Sequence, residues 1–299
     1  MIFFSTSNMK KKILIIGGSG YLGSHVADYL AASGHKIIIY DIKKSPWFNP
    51  KYKFVKGDIL NTGSLSKIIS KVNIIYHFAA ISDIEIALNN PIKTVQVNIL
   101  GTLNILDLAR KNSIERFIFA SSIYALSSNG GFYSCSKRSS EDYIREYNKI
   151  YGLNYTILRY GSLYGIRSTI NNGVHKIIAH AITENELQYL GNKMYKRRYV
   201  HVEDVAKASV QILSKKYKNT SINLMGTKLY KVIYLLKIIS KLLKINNKPI
   251  FLNRKSTGHF VSKPNKYKID KGVNYKFRKT VDLFSGIKEL ISEIRNNNV

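Results

Sequence analysis

The stretch Ile13-Leu-Ile-Ile-Gly17-Gly18-Ser-Gly20-Tyr-Leu-Gly23 predicts a buried strand that turns directly into a helix. Its glycines match the pattern G-x-x-G-x-x-G at Gly17, Gly20 and Gly23. Glycine is needed where a backbone turns tightly and must approach a pyrophosphate without a Cβ in the way. The helix that follows directs free N–H groups and the positive end of its dipole toward the phosphates. A tight strand-to-helix turn also favours glycine for structural reasons alone, so the context of the motif decides its meaning.

Asp41 supplies that context, because it follows the next predicted strand, 18 residues after Gly23. A carboxylate at this point can accept both hydroxyls of an adenosine ribose and would repel a 2′-phosphate. We therefore predict a dinucleotide site that prefers NAD to NADP, although Lys43 and Lys44 close behind weaken the exclusion of the phosphate.

Short apolar runs alternate with helical patterns as far as Tyr160. The predicted strands are Lys12–Ile16, Lys36–Tyr40, Tyr52–Val55, Ile74–His77, Phe117–Ala120 and Tyr155–Arg159. The predicted helices between them are Tyr21–Ser33, Ser64–Ser70, Pro91–Asn112 and Tyr133–Tyr151. Uniformly apolar strands separated by helices indicate a parallel sheet covered on both faces. Right-handed crossovers then give an α/β, Rossmann-type doubly wound fold.

The pattern changes after Tyr164, where Asn/Lys-rich loops, notably 246–248 and 262–276, separate the helices. The helices predicted here are Val174–Thr183, Val205–Leu213, Tyr230–Leu243 and Val281–Arg295. We therefore expect an NAD-binding domain at residues 9–165 and mainly a substrate-binding cap at 166–299, with part of 200–225 returning to the first domain. We also expect Met9 to be the natural start and residues 1–8 to be an upstream extension.

Composition excludes several classes of protein. The 299 residues are 45% hydrophobic and 22% charged, which is ordinary globular usage and excludes collagen and disordered tails. Cys135 is the single cysteine, so no disulfide can form within the chain and a cytoplasmic location is expected. The longest apolar runs are the length of strands and far short of a membrane span, and no His/Cys group has metal-ligand spacing.

The net charge of +29, from 47 Lys+Arg against 18 Asp+Glu, is the one unusual value. Such an excess can indicate a nucleic-acid binder. Here the excess is spread along the chain and no Lys/Arg run exceeds three, as at Lys10–Lys12. We favour the compositional bias of an AT-rich genome, aided by an anionic substrate, over nucleic acid as a partner.

Two further segments carry groups suited to chemistry. Tyr133 and Lys137 are four residues apart on a predicted helix, so the phenol and the ammonium can enter one pocket, where the ammonium would lower the phenol pKa. This pair is common by chance in a chain with 21 tyrosines. Ser121 and Ser122, however, follow a predicted strand, and the carboxyl ends of parallel strands are where open α/β sheets bind ligands.

Together these residues resemble the extended short-chain dehydrogenase/reductase family, and within it the NAD-dependent epimerase/dehydratase group that includes nucleotide-sugar 4-epimerases. The resemblance extends from about Lys11 to Gly226. The matching segments are Gly17–Gly23, Gly57-Asp58-Ile59, His77-Phe-Ala-Ala80, Asn98-Ile-Leu-Gly101-Thr102, Ser121-Ser122, Tyr133-x-x-x-Lys137, Leu158-Arg-Tyr160, Tyr164-Gly165 and Arg197-Arg-Tyr-Val-His201-Val-Glu-Asp204.

The resemblance implies catalytic roles for Ser122, Tyr133 and Lys137: Tyr133 is the acid/base for a sugar hydroxyl, and Ser122 bonds the reacting oxygen. Lys137 holds the nicotinamide ribose and lowers the pKa of Tyr133. Arg197 matches the arginine that pairs with the substrate's diphosphate, unless it is a solvated surface arginine. The residues implied to bind NAD are Gly17, Gly20, Tyr21, Leu22, Gly23, Asp41, Asp58, Ile59, Phe78, Ala79, Ala80, Asn98, Tyr133, Lys137 and Tyr160.

The sequence departs from the family pattern on the substrate side. Tyr133 follows Ser122 by only 11 positions, about half the usual spacing, and Ser162 replaces an asparagine that touches the nucleotide sugar. No Asp or Glu lies between Glu115 and Glu141, whereas dehydratase relatives carry an Asp-Glu pair after the catalytic Ser/Thr.

The resemblance therefore favours an NAD-dependent nucleotide-sugar 4-epimerase, expected to form a homodimer through the helices near 91–112 and 133–151. A 4-keto-sugar reductase with exchangeable NAD(P) is the alternative, and a non-catalytic dinucleotide-binding or RNA-binding protein is the alternative of another class.

Overall fold

A computed structural model of the chain describes residues 10–127, 129–252 and 270–297. Its strands in chain order are β1 (Lys12–Ile16), β2 (Lys36–Asp41), β3 (Lys53–Lys56), β4 (Ile74–His77), β5 (Arg116–Ser122), β6 (Tyr155–Tyr160), β7 (Ser162–Tyr164), β8 (Gln188–Leu190), β9 (Lys196–Arg197), β10 (Tyr199–His201), β11 (Thr220–Leu224), β12 (Tyr230–Lys231), β13 (Ile250–Leu252) and β14 (Val273–Asn274). The expected extension at residues 1–8 and its boundary at Met9 lie outside the described residues.

The helices are α1 (Tyr21–Ala32), α2 (Thr62–Ile69), α3 (Ile84–Asn89), α4 (Pro91–Thr94), α5 (Gly101–Lys111), α6 (Gly131–Tyr151), α7 (Gly173–Glu184), α8 (Val202–Gln211), α9 (Val232–Leu243) and α10 (Leu283–Asn297). A π turn at Val95–Leu100 joins α4 to α5, and single 3₁₀ turns lie at Ile123–Leu126 and Lys215–Tyr217.

An eight-stranded sheet in the order β14-β11-β6-β5-β4-β1-β2-β3 forms the centre of the fold, and all its neighbouring strands are parallel. Chain order reverses between β1 and β4, so a crevice opens beyond their carboxyl ends, where such sheets bind ligands. This arrangement confirms the predicted α/β doubly wound fold.

Successive side chains of β1 enter two different cores. Ile13 and Ile15 pack on the face covered by α1 and α8, whereas Leu14 and Ile16 pack on the face covered by α2, α5 and α6. A strand buried on both faces must be apolar throughout, which explains its uninterrupted run of aliphatic residues. A third core, built from α7, α9 and α10, forms beside the sheet.

Two predicted segments differ from the structure. The expected single helix Pro91–Asn112 is interrupted at 95–100, where a π turn places the Asn98 side chain against the backbone of Ile81. The Asn/Lys-rich segment predicted as a loop at 262–276 contains β14, which pairs with β11 at the edge of the sheet. Residues 262–269 of that loop lie outside the described residues.

Candidate active site

The glycine turn after β1 has no room for side chains. Gly17 has φ +78°, and a Cβ there would lie 2.3 Å from the Ala79 nitrogen. A Cβ at Gly23 would lie 2.4 Å from the Gly17 carbonyl oxygen. Helix α1 begins at Tyr21 with Gly20 as its N-cap and no side-chain cap, so its first N–H groups stay available for a ligand. The turn is therefore a cradle of the kind that a dinucleotide pyrophosphate requires.

Asp41 is held beside this cradle. Its Oδ2 accepts a hydrogen bond of 3.0 Å from the backbone N–H of Ser19. Burial raises the pKa of Asp41, and the backbone N–H of Ser19 opposes that rise. The carboxylate lies at the end of β2, where it can receive a ribose.

Asp58 and Ile59 follow the neighbouring strand β3. The Asp58 carboxylate accepts from the Leu60 N–H at 2.9 Å, and its carbonyl accepts from the Tyr40 hydroxyl at 2.9 Å. Ile59 is buried against Gly101, where a Cβ would lie 2.4 Å from the isoleucine Cδ1. These contacts fix the backbone of the segment next to Asp41.

The segment Phe78–Ala80 lines the crevice after β4, and Asn98 fastens its end. The Ile81 N–H donates to Asn98 Oδ1 at 2.8 Å, and Asn98 Nδ2 donates to the Ile81 carbonyl at 3.0 Å. Asn98 Nδ2 also lies 2.9 Å from Ser136 Oγ on α6. The Asn98 side chain therefore positions the wall of the groove and links that wall to the catalytic helix.

Ser122, Tyr133 and Lys137 come together at the carboxyl end of β5. Ser122 is the last residue of that strand, and its Oγ accepts a hydrogen bond of 3.3 Å from the Tyr124 N–H. The Ser122 side chain also lowers the pKa of Tyr133, so the two side chains lie close together. Lys137 Nζ donates to the Ala120 carbonyl at 2.9 Å and lies 5.9 Å from the centre of the Tyr133 ring. All three side chains are buried.

Burial controls the titration of this pair. It raises the pKa of Tyr133 to about 12, while the hydrogen bond to Ser122 opposes that rise. It lowers the pKa of Lys137 to about 7, against the attraction of Glu141. The net direction for Tyr133 is upward because desolvation outweighs the hydrogen bond to Ser122. The Lys137 ammonium is directed to the Ala120 carbonyl, and its lowering of the Tyr133 pKa stays a prediction.

A buried network that the sequence did not predict lies behind Ser122 and Lys137. Ser121 Oγ donates to Glu141 Oε1 at 2.6 Å, and the guanidinium of Arg159 forks onto both Glu141 oxygens at 2.8 and 2.6 Å. Glu141 lies one helical turn beyond Lys137 on α6. The spacing of four residues between Lys137 and Glu141 could have indicated from the sequence that both lie on one face of α6. The partnership with Arg159 could not be predicted, because Arg159 lies on a separate strand, β6.

On the substrate side, Arg197 on β9 lies among tyrosines. Burial lowers its pKa, but Tyr124, Tyr189 and Tyr199 more than offset this and the pKa lies above its usual value. Tyr124 also raises the pKa of Tyr133, so it is close enough to act electrostatically on both Tyr133 and Arg197. The sequence analysis had not assigned Tyr124 to the site.

Three further residues complete the description of this region. Ser162 lies half-buried on β7 beside Tyr199 of β10. Tyr160 is placed in the core, where its hydroxyl lies 2.9 Å from Ser209 Oγ of α8, so its side chain does not enter the groove. Cys135, between Tyr133 and Lys137 on α6, is exposed.

Comparisons with known proteins agree with this geometry. Residues 13–224 match the model of the NAD dependent epimerase/dehydratase family. A putative UDP-glucose 4-epimerase of Methanocaldococcus jannaschii is 31% identical over 311 residues, covering 96% of this chain and 99% of the relative. The structure of a Thermotoga maritima UDP-glucose 4-epimerase with UDP-glucose superposes with a TM-score of 0.82 at 25% identity, covering 96% of this chain and 100% of that one.

A UDP-glucuronic acid 4-epimerase of Bacillus cereus, solved with UDP-glucuronic acid and NAD, has the same fold, with a TM-score of 0.83 at 22% identity over 96% of this chain and 99% of that one. No helix in the described residues is both long and apolar enough to cross a membrane. The family match covers most of the chain. It agrees with the glycine turn beside Asp41 and with the Ser122, Tyr133 and Lys137 side chains at the edge of the sheet. The chain belongs to the NAD-dependent epimerase/dehydratase family, and it is an enzyme whose cofactor is NAD.

Proposed function

We propose that this enzyme is a UDP-hexose 4-epimerase, which inverts the hydroxyl-bearing C4 of a nucleotide-linked sugar. The observation that carries the proposal is the buried Ser122–Tyr133–Lys137 set at the carboxyl end of β5, across the crevice from the glycine turn. The choice of UDP and of a hexose is supported by the relatives of 31% and 25% identity, both described as UDP-glucose 4-epimerases.

Tyr133, as its phenolate, takes the proton of the C4 hydroxyl and becomes the neutral phenol, and Ser122 donates a hydrogen bond to the oxygen as its charge develops. When bound, NAD supplies the acceptance of the C4 hydride and its return. The 4-keto sugar then rotates in the pocket, so that its other face is directed toward the cofactor. Tyr133 gives its proton back to the oxygen, so the net reaction is redox-neutral. We assign Lys137 to the nicotinamide ribose, and in its protonated form it favours the phenolate of Tyr133.

The NAD-binding role falls to the residues that surround the crevice. The cradle at Gly17–Gly23 faces the pyrophosphate, Asp41 the adenine ribose, and Asp58 with Ile59 the adenine. The Phe78–Ala80 wall, backed by Asn98, completes the groove. On the sugar side, we assign Arg197 to the diphosphate and Ser162 to the nucleotide sugar.

An epimerase fits this site better than a dehydratase does. Elimination of water from a 4-keto sugar needs an acid and a base beside the catalytic serine, where this chain has Ile123 and Tyr124. The first carboxylate after this segment, Glu141, is engaged by Arg159 and Ser121 in the core. The segment therefore has no free carboxylate to deprotonate carbon.

We further propose that residues 9–165 hold NAD and that residues 166–299 mainly hold the sugar, with part of 200–225 serving the first unit. The pairing of β11 with β6 supports that return to the sheet. A cytoplasmic location is supported by the exposed thiol of Cys135, which suits a reducing compartment.

A homodimer through α4, the π turn and α6 is proposed from their exposed apolar side chains. Ile92, Val95 and Leu100 are 72%, 42% and 47% exposed, and Ile150 on α6 is 64% exposed. Apolar side chains exposed to this degree on the two predicted interface segments suit contact with a second copy of the chain. Sedimentation velocity should give a dimer for the wild type and a monomer for Ile92→Asp, while Ile170→Asp in the cap should stay dimeric. A monomeric wild type would refute the proposed dimer but not the proposed function.

The test of the function is a panel of UDP-, GDP- and dTDP-sugars incubated with the purified enzyme, with no added NADH. Conversion of UDP-glucose and UDP-galactose into each other is expected. A strict requirement for stoichiometric NADH or NADPH would contradict it and would identify a reductase.

A further inference from the structure

Helix α1, whose first turn forms the phosphate cradle, contacts the turn at residues 166–167 through two side chains near its middle. His25 Nε2 lies 3.1 Å from the Ile166 carbonyl oxygen. Three residues further along the same helix, Asp28 forms an ion pair of 2.7 Å with the Arg167 guanidinium. Tyr52 holds the other oxygen of Asp28 through a hydrogen bond of 2.8 Å. Both contacts from α1 therefore depend on the position of the turn at 166–167.

That turn has an unfavourable backbone conformation. Arg167 has φ +61°, in the left-handed region that a non-glycine residue rarely adopts. Its backbone N–H is received by both carboxylate oxygens of Glu293, at 2.8 and 2.9 Å. A charged acceptor makes such hydrogen bonds stronger than neutral ones. Glu293 therefore stabilises a turn that the sequence alone does not favour.

Glu293 lies on α10, far along the chain from the glycine turn at Gly17–Gly23. The same helix packs closely on the strand before the turn, because a Cβ at Gly286 would lie 2.7 Å from the Tyr164 ring. Tyr164 ends β7, the strand on which Ser162 lies. The contacts among Glu293, Arg167 and Asp28 thus form a single joint. This joint connects α10 to α1 and to the turn that follows β7.

We propose that Glu293 is a positioning residue for NAD retention: it fixes the turn at Arg167, which in turn clamps α1 and its phosphate cradle. The proposal rests on NAD binding at the glycine turn and does not depend on the identity of the sugar. A helix held at His25 and Asp28 keeps its N-terminal N–H groups aligned without further loss of entropy when the ligand binds. A loosened helix must be reordered by the ligand, so NAD binds more weakly and leaves faster.

The experiment measures NAD affinity by calorimetry on NAD-depleted protein, with no sugar present. Glu293→Ala and Asp28→Ala should each weaken NAD about tenfold, the scale of one charged hydrogen bond. Because both act through Arg167, the double variant should be no worse than about the larger single effect. Glu146→Ala, an exposed glutamate on α6, is the control and should bind like the wild type.

A second readout separates positioning from general stability. Amide hydrogen exchange in α1 should speed up in Glu293→Ala at a temperature well below unfolding, while exchange in β1 stays slow. NAD affinity within twofold of the wild type in both single variants would overturn the proposal. Strictly additive losses in the double variant would also overturn it. If Glu293→Ala fails to fold, Asp28→Ala and Arg167→Gly decide, since glycine adopts the left-handed turn but lacks the guanidinium. Each should still lose NAD affinity, and wild-type binding in both would refute the joint.

Discussion

The ammonium of Lys137 lies 2.9 Å from the carbonyl oxygen of Ala120, two residues before Ser122 on β5. The lysine is therefore hydrogen-bonded to the strand that carries Ser122, the proposed catalytic serine. That position has an electrostatic cost, because the charged group is buried and its pKa falls to about 7.

Replacing Lys137 by methionine should raise the free energy of unfolding of the NAD-free protein near pH 6.5. The unfolded lysine titrates near its ordinary pKa of about 10.4, and the folded one near 7. Between these values the unfolded chain binds more protons, so wild-type stability rises with pH. The advantage of Lys137→Met should therefore shrink from pH 7 toward pH 10. Urea unfolding across this range checks it, and a difference that does not vary with pH would contradict it.

Tyr133→Phe should lower turnover at least ~10²-fold, the usual scale for a positioned acid/base. NAD binding should persist, because the ring and its packing remain. Tyr143→Phe, on the same helix but exposed, is the matched control and should keep full activity. Near-wild-type turnover in Tyr133→Phe would exclude this residue as the acid/base.

Asp41→Ala should weaken NAD by roughly 1–3 kcal/mol, the scale for hydrogen bonds to a charged group. It should also narrow the gap between NAD and NADP, because the carboxylate that repels a 2′-phosphate is gone. Titration of NAD-depleted protein with both cofactors measures this, with Asp142→Ala on the surface of α6 as control. A wild type that already prefers NADP would show that Asp41 has a different role.

No product should be lighter than its substrate. The segment from Arg116 to Ser140 contains no carboxylate, so it has no base for the removal of a carbon-bound proton. Mass spectrometry after incubation with UDP-glucose, dTDP-glucose, GDP-mannose and UDP-glucuronate checks this. Loss of one water from any of them would require a base elsewhere in the pocket. Loss of CO₂ from UDP-glucuronate, which needs no base once C4 is oxidised, would show that the site also decarboxylates its substrate.

Elements with a strong local signal could be predicted from the sequence. β1 matches its predicted bounds, because its run of aliphatic residues ends at the glycine turn. The α10 helix starts two residues later than predicted, at Leu283, where the Asp282 carboxylate accepts from the Phe284 and Ser285 N–H groups. The family match confirms the predicted family and its NAD cofactor, while the role of the glycine motif in binding NAD stays a prediction.

Features that depend on distant partners could not be predicted. β14 has two exposed residues in a polar segment, and it is a strand only because β11 offers a parallel edge. The π turn at 95–100 depends on Asn98 reaching Ile81, and the pKa of Tyr133 depends on how deeply the folded chain buries it. A motif identifies the residues that meet, but desolvation is a property of everything packed around them.

The measurement closest to the central claim follows the hydrogen at C4. UDP-galactose carrying deuterium at C4 is incubated with the enzyme in ordinary water, without added NADH, and the product is examined by NMR and mass spectrometry. The account predicts UDP-glucose of unchanged mass with the deuterium still at C4, because the hydride leaves and returns within one active site while Tyr133 exchanges only the hydroxyl proton. UDP-glucose that has lost the deuterium, or no UDP-glucose unless NADH is supplied, would contradict it.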